Sequence, residues 1–530
     1  MAKKRGGKKY FDIHAPVFYP AAVIILATIL ASFFYSESLV KSFGFFQEKT
    51  SEYAGWFFIL CMNVFVVSAL WFAFSKFGKI RLGGPKARPQ FSTFSWFSML
   101  FSAGLGIGLM FYGVAEPMFH YGNPPLPVEN IGERAENAML FTFLHYGFHG
   151  WAPYVIVGLA LAFFTFNKGY PLTISSLFRP LIGNRVNGFL GHLIDISAVI
   201  ATLFGLATTL GIGVQQIGSG LDFLFGIENS TNTHITLIAC ITLAATASVI
   251  LGLDKGVRFL SVVNMRLALL FLIFILFIGP TSFIMDGLIQ NVGNYFNSLI
   301  KVGTWAETYQ NNNWQHDWTV FYWAWWISWS PFVGMFIARV SKGRTVKEFI
   351  LGVLLVPSLL VFVWMSVFGG AAIFVESQGI APIAQSVTDD LSTALFVLLQ
   401  EFPLSSITSF VGIVLVTIFF VTSSDSGSLV IDSITSGGKL DAPVGQRIFW
   451  ALLEGGVAAS LLFAGGLKAL QSAVISAGLP FAIIILLIIY SLAKEFTKTT
   501  HKMWLKAKEK ERKEYLEQLK TIINSEDDED

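Results

Sequence analysis

Long apolar stretches recur along the whole chain and are separated by short polar loops. A helix needs about 20 mostly apolar residues to cross a bilayer. Twelve stretches approach or exceed this length, and they predict an all-α integral membrane protein. These spans cover residues 16–36, 54–76, 94–121, 139–166, 192–221, 234–253, 258–284, 318–340, 348–375, 403–430, 446–466 and 470–493.

Lys and Arg residues concentrate at the N-terminus and in the loops that follow even-numbered spans. Cytoplasmic loops of membrane proteins carry such an excess of positive charge. We therefore expect both termini to be cytoplasmic and the chain to lie in the cell membrane. The first apolar run is long enough to span, so we expect a retained helix and not a cleaved signal peptide.

Composition narrows the class of protein further. Hydrophobic residues make up 54% of the chain and charged residues 13%, which is about half of the ~25% typical of soluble domains. The net charge of +2 is small. A soluble globular fold, a disordered chain and a nucleic-acid-binding protein are excluded.

The third and eighth spans are unusual, and they lie five spans apart. The third contains three glycines within 104–108, and the eighth contains four tryptophans and Pro331 within 323–331. Interrupted helices at matching positions of two five-span units indicate a transporter site near the bilayer midplane, with the units related as inverted repeats.

The pattern divides the chain into six parts. They are a basic cytoplasmic N-terminus (1–15), two additional N-terminal helices (16–93), a first inverted repeat (94–284), an external loop or interfacial helix (285–317), a second inverted repeat (318–493) and a charged cytoplasmic tail (494–530).

The glycines Gly104, Gly106 and Gly108 allow two interpretations. Glycine in mid-span can free backbone carbonyls to bind a hard cation such as Na⁺, and nearby N–H groups to meet a carboxylate. Small residues also let two membrane helices pack closely. The glycines alone do not decide between them.

Aromatic residues on the fourth and eighth spans suggest a site for an organic cation. The fourth carries Tyr146, Trp151 and Tyr154, and Trp326 lies near the middle of the eighth. Ring faces attract a quaternary ammonium group with ~0.5–2 kcal/mol each. Core or lipid packing is the alternative for any single ring.

The tenth span places hydroxyl groups and a carboxylate, including Thr422, Ser423 and Asp425, in an apolar helix. Such groups are costly within a membrane unless they are used, and their oxygens suit Na⁺. Bonds from the hydroxyls to carbonyls of their own helix are the alternative. We favour the ion site.

Three segments carry a resemblance to a known family. Residues 317–332 (DWTVFYWAWWISWSPF), 104–117 (GLGIGLMFYGVAEP) and 419–427 (FFVTSSDSG) resemble the betaine/choline/carnitine transporter family. The resemblance implies a leucine-transporter-like fold with twelve transmembrane helices, inverted five-helix repeats formed by spans 3–7 and 8–12, and a homotrimer. It implies a transporter and not an enzyme, and no nucleophile–base pair or nucleotide loop is visible in the sequence.

By matching motif positions, the resemblance implies a substrate site of ten residues. They are Tyr146, Trp151, Tyr154 and Trp326 as an aromatic box, Trp325 and Trp329 beside the substrate path, Trp323 in a second tier, and Gly104, Gly106 and Gly108 of the broken helix. Tyr146 stands where betaine carriers of the family have Trp.

The resemblance also implies Na⁺ as the coupling ion, with no other cofactor. The first sodium site would use Ser102, Leu105, Phe419, Thr422 and Ser423, and a possible second site would use Thr202, Tyr154 and Phe332. Leu206 stands where the family pattern of the second site has a further Thr.

The expected function is import of a quaternary-ammonium osmolyte, with glycine betaine as first choice, by Na⁺ symport. Alternatives are a carnitine or choline carrier with different ion coupling, or an osmotically gated channel or sensor. The tail has nine Lys/Arg within 494–520 and could contact anionic lipids. A solvated helix is the alternative for the tail.

Overall fold

The computed structural model describes residues 10–104, 106–251, 257–310, 313–439 and 443–527. Within these ranges the chain is almost entirely α-helical, which confirms the expected all-α class. The helices are α1 (Ala15–Phe34), α2 (Ser36–Phe74), α3 (Thr93–Gly104), α4 (Ile107–Gly122), α5 (Ile131–Tyr146), α6 (Phe148–Lys168), α7 (Arg179–Ile182), α8 (Phe189–Phe225), α9 (Thr231–Leu251), α10 (Val257–Ile278), α11 (Thr281–Gly303), α12 (Phe321–Val340), α13 (Val346–Ser377), α14 (Ile383–Asp389), α15 (Ala394–Gln400), α16 (Ser405–Thr435) and α17 (Val444–Asp527).

The described residues form nine helices that are long and apolar enough to cross a membrane. The protein is therefore a multi-pass membrane protein. The count differs from the predicted twelve for three reasons. Helix α17 covers both the eleventh and the twelfth predicted span, and the third predicted span is divided into the two short helices α3 and α4. The Trp-rich α12, which corresponds to the eighth predicted span, is not among the nine. The number twelve stays a prediction.

The predicted interruption of the third span is present. Helix α3 ends at Gly104 and α4 begins at Ile107, and Gly106 between them has an extended backbone with φ −162°. Leu105 lies outside the described residues. The break divides the span into two short helices whose ends meet inside the protein.

The interruption expected in the eighth span is absent, and this expectation was wrong. Helix α12 continues through Pro331, although proline cannot donate a backbone hydrogen bond. Membrane helices tolerate proline when neighbouring groups satisfy the freed backbone atoms. Here the Ser330 hydroxyl donates to the carbonyl of Ile327 at 2.7 Å.

A break that the sequence did not indicate lies in the fourth span, at Gly147 between α5 and α6. A Cβ atom on Gly147 would lie 2.5 Å from the carbonyl of Phe143 and 2.6 Å from the hydroxyl of Tyr295. The backbone N–H of Phe148 donates to that hydroxyl at 3.0 Å. A tyrosine from α11 therefore takes the place of a helical hydrogen bond.

Helix α11 occupies most of the segment predicted as an external loop or interfacial helix. It packs against α5 and α13. Tyr295 on its inner face is fully buried, whereas Ile289 and Ile300 are exposed. The helix thus contributes a buried side chain to the break in the fourth span.

Helix α17 is kinked at Gly465 and Gly466, where the predicted eleventh span ends. Gly466 has φ +63°, a conformation that favours glycine over other residues. Beyond the predicted twelfth span the helix continues to Asp527, and residues 501–520 are exposed. The charged tail is therefore helical over its described residues, 494–527.

The Trp-rich α12 lies in the interior, packed against α6, α8 and α17. Helix α6 is buried continuously from Phe148 to Phe164, and only its last turn is partly exposed. Because both helices are enclosed by others, most of their aromatic rings face protein.

Candidate functional site

A cavity lies where the start of α4 meets α6, α8 and α12, and we call it the aromatic cavity. It is bounded by the breaks of the third and fourth spans. Its lining residues are Gly106, Ile107, Gly108, Leu109, Tyr146, Gly150, Trp151, Tyr154, Thr209, Trp325, Trp326, Trp329, Val333 and Val361.

The rings of this cavity meet at several different angles. Trp326 forms edge contacts with Tyr146 at 5.4 Å between ring centroids and with Tyr154 at 6.4 Å. Trp151 meets Tyr154 edge-on at 5.5 Å. Trp325 stacks on Trp326 at 4.7 Å with an interplanar angle of 14°. Rings that surround one space in this way present π-faces to a cation from more than one side.

Hydrogen bonds fix the two central indoles. The Trp326 Nε1–H donates to the carbonyl of His145 at 2.8 Å, next to the break at Gly147. The Trp325 Nε1–H donates to the hydroxyl of Thr209 at 3.1 Å. A Cβ atom on Gly150 would lie 3.1 Å from the Trp326 Nε1 atom, so Gly150 lets the indole approach α6.

Side chains of other helices brace the first turn of α4. The carbonyl oxygens of residues 108–110 each accept one hydrogen bond from such a side chain. The donors are the Tyr146 hydroxyl at 3.3 Å, the Trp364 indole at 3.0 Å and the Gln216 amide at 2.8 Å. The first N–H groups of a helix favour an anionic group. In α4 those of Leu109 and Met110 already donate to the carbonyl of Gly106 at 3.1 Å and 3.5 Å, so the N–H groups of Ile107 and Gly108 are the candidates. This turn can therefore receive a carboxylate beside the aromatic rings.

A larger cavity of about 460 Å³, which we call the vestibule, lies between α10, α12 and α16. It shares Gly106, Trp329 and Val333 with the aromatic cavity. Trp329 therefore stands at the border between the two spaces.

The predicted sodium ligands of α16 line this vestibule. Phe419, Thr422 and Ser423 face it, as does Phe332 of α12. The Thr422 hydroxyl donates to the carbonyl of Ile418 at 2.9 Å, so the bond within its own helix that we considered as an alternative is present. A hydroxyl in such a bond still has lone pairs for a cation.

The remaining members of the first predicted sodium site cannot be placed. Leu105 and the side chain of Ser102 lie outside the described residues, although the backbone of Ser102 belongs to α3. Gly104 is the last residue of that helix.

Residues of the second predicted sodium site have unused bonding capacity. The hydroxyls of Thr202 and Tyr154 and the Trp329 Nε1–H are buried and find no hydrogen-bond partner among the described residues. A buried polar group without a partner costs about 1–3 kcal/mol. Phe332 meets Trp329 edge-on at 5.4 Å. Leu206 is directed at α16, where a Cβ atom on Gly427 would lie 2.3 Å from it.

Eight of the ten predicted substrate residues line the aromatic cavity, Gly104 is described only as the last backbone residue of α3, and Trp323 lies outside the lining. Trp323 is buried and stacks on His149 at 5.7 Å. Successive residues of an α-helix are about 100° apart, which separates Trp323 from the arc of Trp325, Trp326 and Trp329. Sequence reasoning also missed Thr209, for which helical spacing gives no signal because its role depends on contact with α12.

A multi-pass helical membrane protein with a broken helix beside an aromatic cavity has the organisation of a transporter of small molecules. The family described as "BCCT, betaine/carnitine/choline family transporter" matches residues 16–501. The chain belongs to this family, whose members are transporters and not enzymes.

Relatives with curated names are similar over most of the chain. A glycine betaine/proline/choline/ectoine transporter of Vibrio parahaemolyticus is 47% identical over 91% of this chain and 87% of its own length. Glycine betaine transporter 1 of the same organism is 47% identical over 91% of this chain and 93% of its own. The glycine betaine transporter OpuD of Bacillus subtilis is 42% identical over 91% of this chain and 94% of its own.

Proposed function

We propose that the protein is a secondary active transporter that imports glycine betaine by Na⁺ symport. The observation that carries the proposal is the aromatic cavity, in which Tyr146, Trp151, Tyr154 and Trp326 surround one space next to the broken helix. The names of the relatives support a betaine-type substrate.

The two ends of glycine betaine match two parts of the cavity lining, the aromatic rings and the first turn of α4. Its trimethylammonium group has no hydrogen-bond donor, so ring faces are the suitable partner. Its carboxylate can accept hydrogen bonds from the N–H groups at the start of α4. The rings and the turn border the same cavity, but its free volume of about 50 Å³ is smaller than glycine betaine. One small zwitterion can therefore contact both only after the rings move apart.

Sodium coupling is proposed at the α16 side of the vestibule. Na⁺ would bind hydroxyls of Thr422 and Ser423 together with backbone oxygens of Ser102 and Leu105. The unpartnered hydroxyls of Thr202 and Tyr154 support a second site. Ion and substrate are coupled when both stabilise the same conformer. Movement of the bundle of spans 3, 4, 8 and 9 against the remaining helices then exposes the site to alternate sides.

The test is uptake of labelled glycine betaine into proteoliposomes that contain the purified protein. We expect saturable uptake that an inward Na⁺ gradient drives and that replacement of Na⁺ by K⁺ abolishes. Carnitine, choline, proline and ectoine are added as competitors to rank the substrates. Saturable uptake that does not depend on Na⁺ refutes sodium symport but remains consistent with a carrier for glycine betaine. Flux that does not saturate supports a channel, and no flux of any of these compounds refutes the proposal.

We also propose the finer architecture. Twelve crossings result if α3 and α4 together form one span, α12 forms another, and α17 is divided at its Gly465–Gly466 kink. Both termini would then lie in the cytoplasm of a plasma-membrane protein, as the Lys/Arg pattern indicates. Labelling of single cysteines from either side of the membrane measures this topology.

The homotrimer and the regulatory tail are further parts of the proposal. Light scattering of the detergent-solubilised protein measures the oligomeric state. The exposed helical residues 501–520 would contact anionic lipids through their Lys and Arg side chains. Deletion of residues 505–530 is expected to change uptake as a function of osmolality, and an unchanged response refutes osmotic regulation by this tail.

A further inference from the structure

A buried carboxyl group lies behind the aromatic cavity and outside its lining. Glu116 on α4 is fully buried. Its Oε1 atom lies 2.6 Å from Nδ1 of His145 and 3.3 Å from Nε2 of His120. The Tyr322 hydroxyl donates to its Oε2 atom. Three side chains from three helical elements therefore meet at one carboxyl group.

These groups form a hydrogen-bonded hub. Potential metal-ligand atoms of Glu116, His120 and His145 lie within 4.8 Å of one another. They already bond to each other, however, and the second ring nitrogen of His145 lies 3.0 Å from the hydroxyl of Thr319. We therefore interpret the Glu116 carboxyl group as a hydrogen-bond acceptor that its neighbours hold in place, and not as a metal ligand.

The hub is connected to the cavity wall through Tyr322. The Tyr322 hydroxyl lies 3.3 Å from that of Tyr146, and the Tyr146 hydroxyl lies 3.3 Å from the carbonyl of Gly108. Because the single hydroxyl proton of Tyr322 is directed to Glu116, Tyr146 must be the donor in its contact with Tyr322, and its one proton is shared between the Tyr322 hydroxyl and the Gly108 carbonyl. Tyr146 and Gly108 both line the cavity, so Glu116 lies two hydrogen bonds away from it.

The ring of Tyr322 also supports the cavity rings directly. Its centroid lies 5.4 Å from that of Tyr146, 5.7 Å from that of Trp326 and 6.0 Å from that of Trp325. Tyr322 itself is fully buried and lies outside the cavity lining. A shift of this ring must therefore move rings that do line the cavity.

We propose that Glu116 is a positioning residue for the substrate site, and that it acts through Tyr322 on Tyr146 and Trp326. By holding the Tyr322 hydroxyl it fixes the ring that supports the cage for the quaternary ammonium group. The inference rests on the proposed function, which it deepens by adding residues that set affinity without touching the substrate. Neither Glu116 nor Tyr322 was among the site residues that the sequence predicted.

The test compares Tyr322→Phe and Glu116→Gln with a matched control, Tyr112→Phe. Tyr112 packs against Tyr322 at 5.4 Å and Trp325 at 6.1 Å, and within the described residues its hydroxyl makes no hydrogen bond to Glu116 or Tyr322. Labelled glycine betaine uptake gives KM and maximal rate, and tryptophan fluorescence gives Kd. Thermal unfolding and size-exclusion profiles monitor the fold.

We expect Tyr322→Phe and Glu116→Gln to raise KM and Kd by about tenfold, the size expected for the loss of a hydrogen bond to a carboxylate. The maximal rate should change much less, and Tyr112→Phe should leave KM as in the wild type. The double variant of Glu116 and Tyr322 should be no worse than the worse single variant, because both act in one chain.

Two results overturn the positioning role: a KM of Tyr322→Phe within about twofold of wild type, or an equal rise in Tyr112→Phe. If Glu116→Gln does not fold, Tyr322→Phe decides, because it removes a single hydroxyl. A wild-type protein that neither binds nor transports glycine betaine counts against the proposed function. Variants that match an active wild type count against the positioning role alone.

Discussion

The aromatic cavity and the vestibule differ in how their polar groups are used. In the cavity, the indole N–H groups of Trp325 and Trp326 both have acceptors. Among the described residues, three nearby polar atoms are buried without a partner: the Trp329 Nε1–H at the border of the two spaces, the hydroxyl of Tyr154 in the cavity, and the hydroxyl of Thr202, which lines neither space. A site with satisfied groups is rigid before its ligand arrives, whereas groups with spare capacity can gain bonds from a ligand. The comparison supports an organic-cation site in the cavity and ion sites beside it.

The largest effect is expected from removal of Trp326, the central ring of the aromatic cavity. Trp326→Ala should abolish glycine betaine uptake, because it removes a π-face and the hydrogen bond to the carbonyl of His145. Proteoliposome uptake and ligand binding measure the effect. Trp56→Ala is the control, because Trp56 is an exposed tryptophan on α2. Unimpaired affinity in a folded Trp326→Ala protein would refute the aromatic site.

An intermediate effect is expected in the vestibule. Thr422→Ala and Ser423→Ala should raise the Na⁺ concentration for half-maximal uptake by about tenfold, because each removes an oxygen that suits Na⁺. The measurement is uptake as a function of Na⁺ concentration. Thr417→Ala is the matched control, since Thr417 makes the same bond within α16, at 2.8 Å to Ile413, and is not among the described residues that line the vestibule. An equal shift in all three variants would contradict the site.

The smallest effect is expected at Thr202, a member of the possible second sodium site. Without Na⁺, Thr202→Val should be at least as stable as the wild type, because it removes a buried hydroxyl without a partner. With Na⁺ the wild type should gain thermal stability that the variant lacks. The midpoint of thermal unfolding measures both.

Thr208→Val provides the matched control for this experiment. The Thr208 hydroxyl donates to the carbonyls of Phe204 at 2.9 Å and Leu470 at 3.1 Å, so its loss should destabilise the protein with or without Na⁺. If Thr202→Val behaves like this control, the Thr202 hydroxyl is structural and the second ion site is refuted.

Parts of the site could be predicted because they depend on neighbours in the chain. The glycines of 104–108 indicated the break, since glycine in mid-span weakens a helix locally. The break at Gly147 could not be predicted, because it depends on the hydroxyl of Tyr295 from α11. The continuity of α12 through Pro331 also depends on its surroundings.

The sequence alone determined the class of the protein and the positions of most of its apolar helices, and it predicted the residue types that a cation site requires. Only the tertiary structure decided which side chains share the cavity, with Thr209 inside it and Trp323 outside, and that Glu116 is bonded to Tyr322. The physical reason is that hydropathy and local backbone preference act along the chain. Ring contacts and buried hydrogen bonds join atoms that only folding brings together.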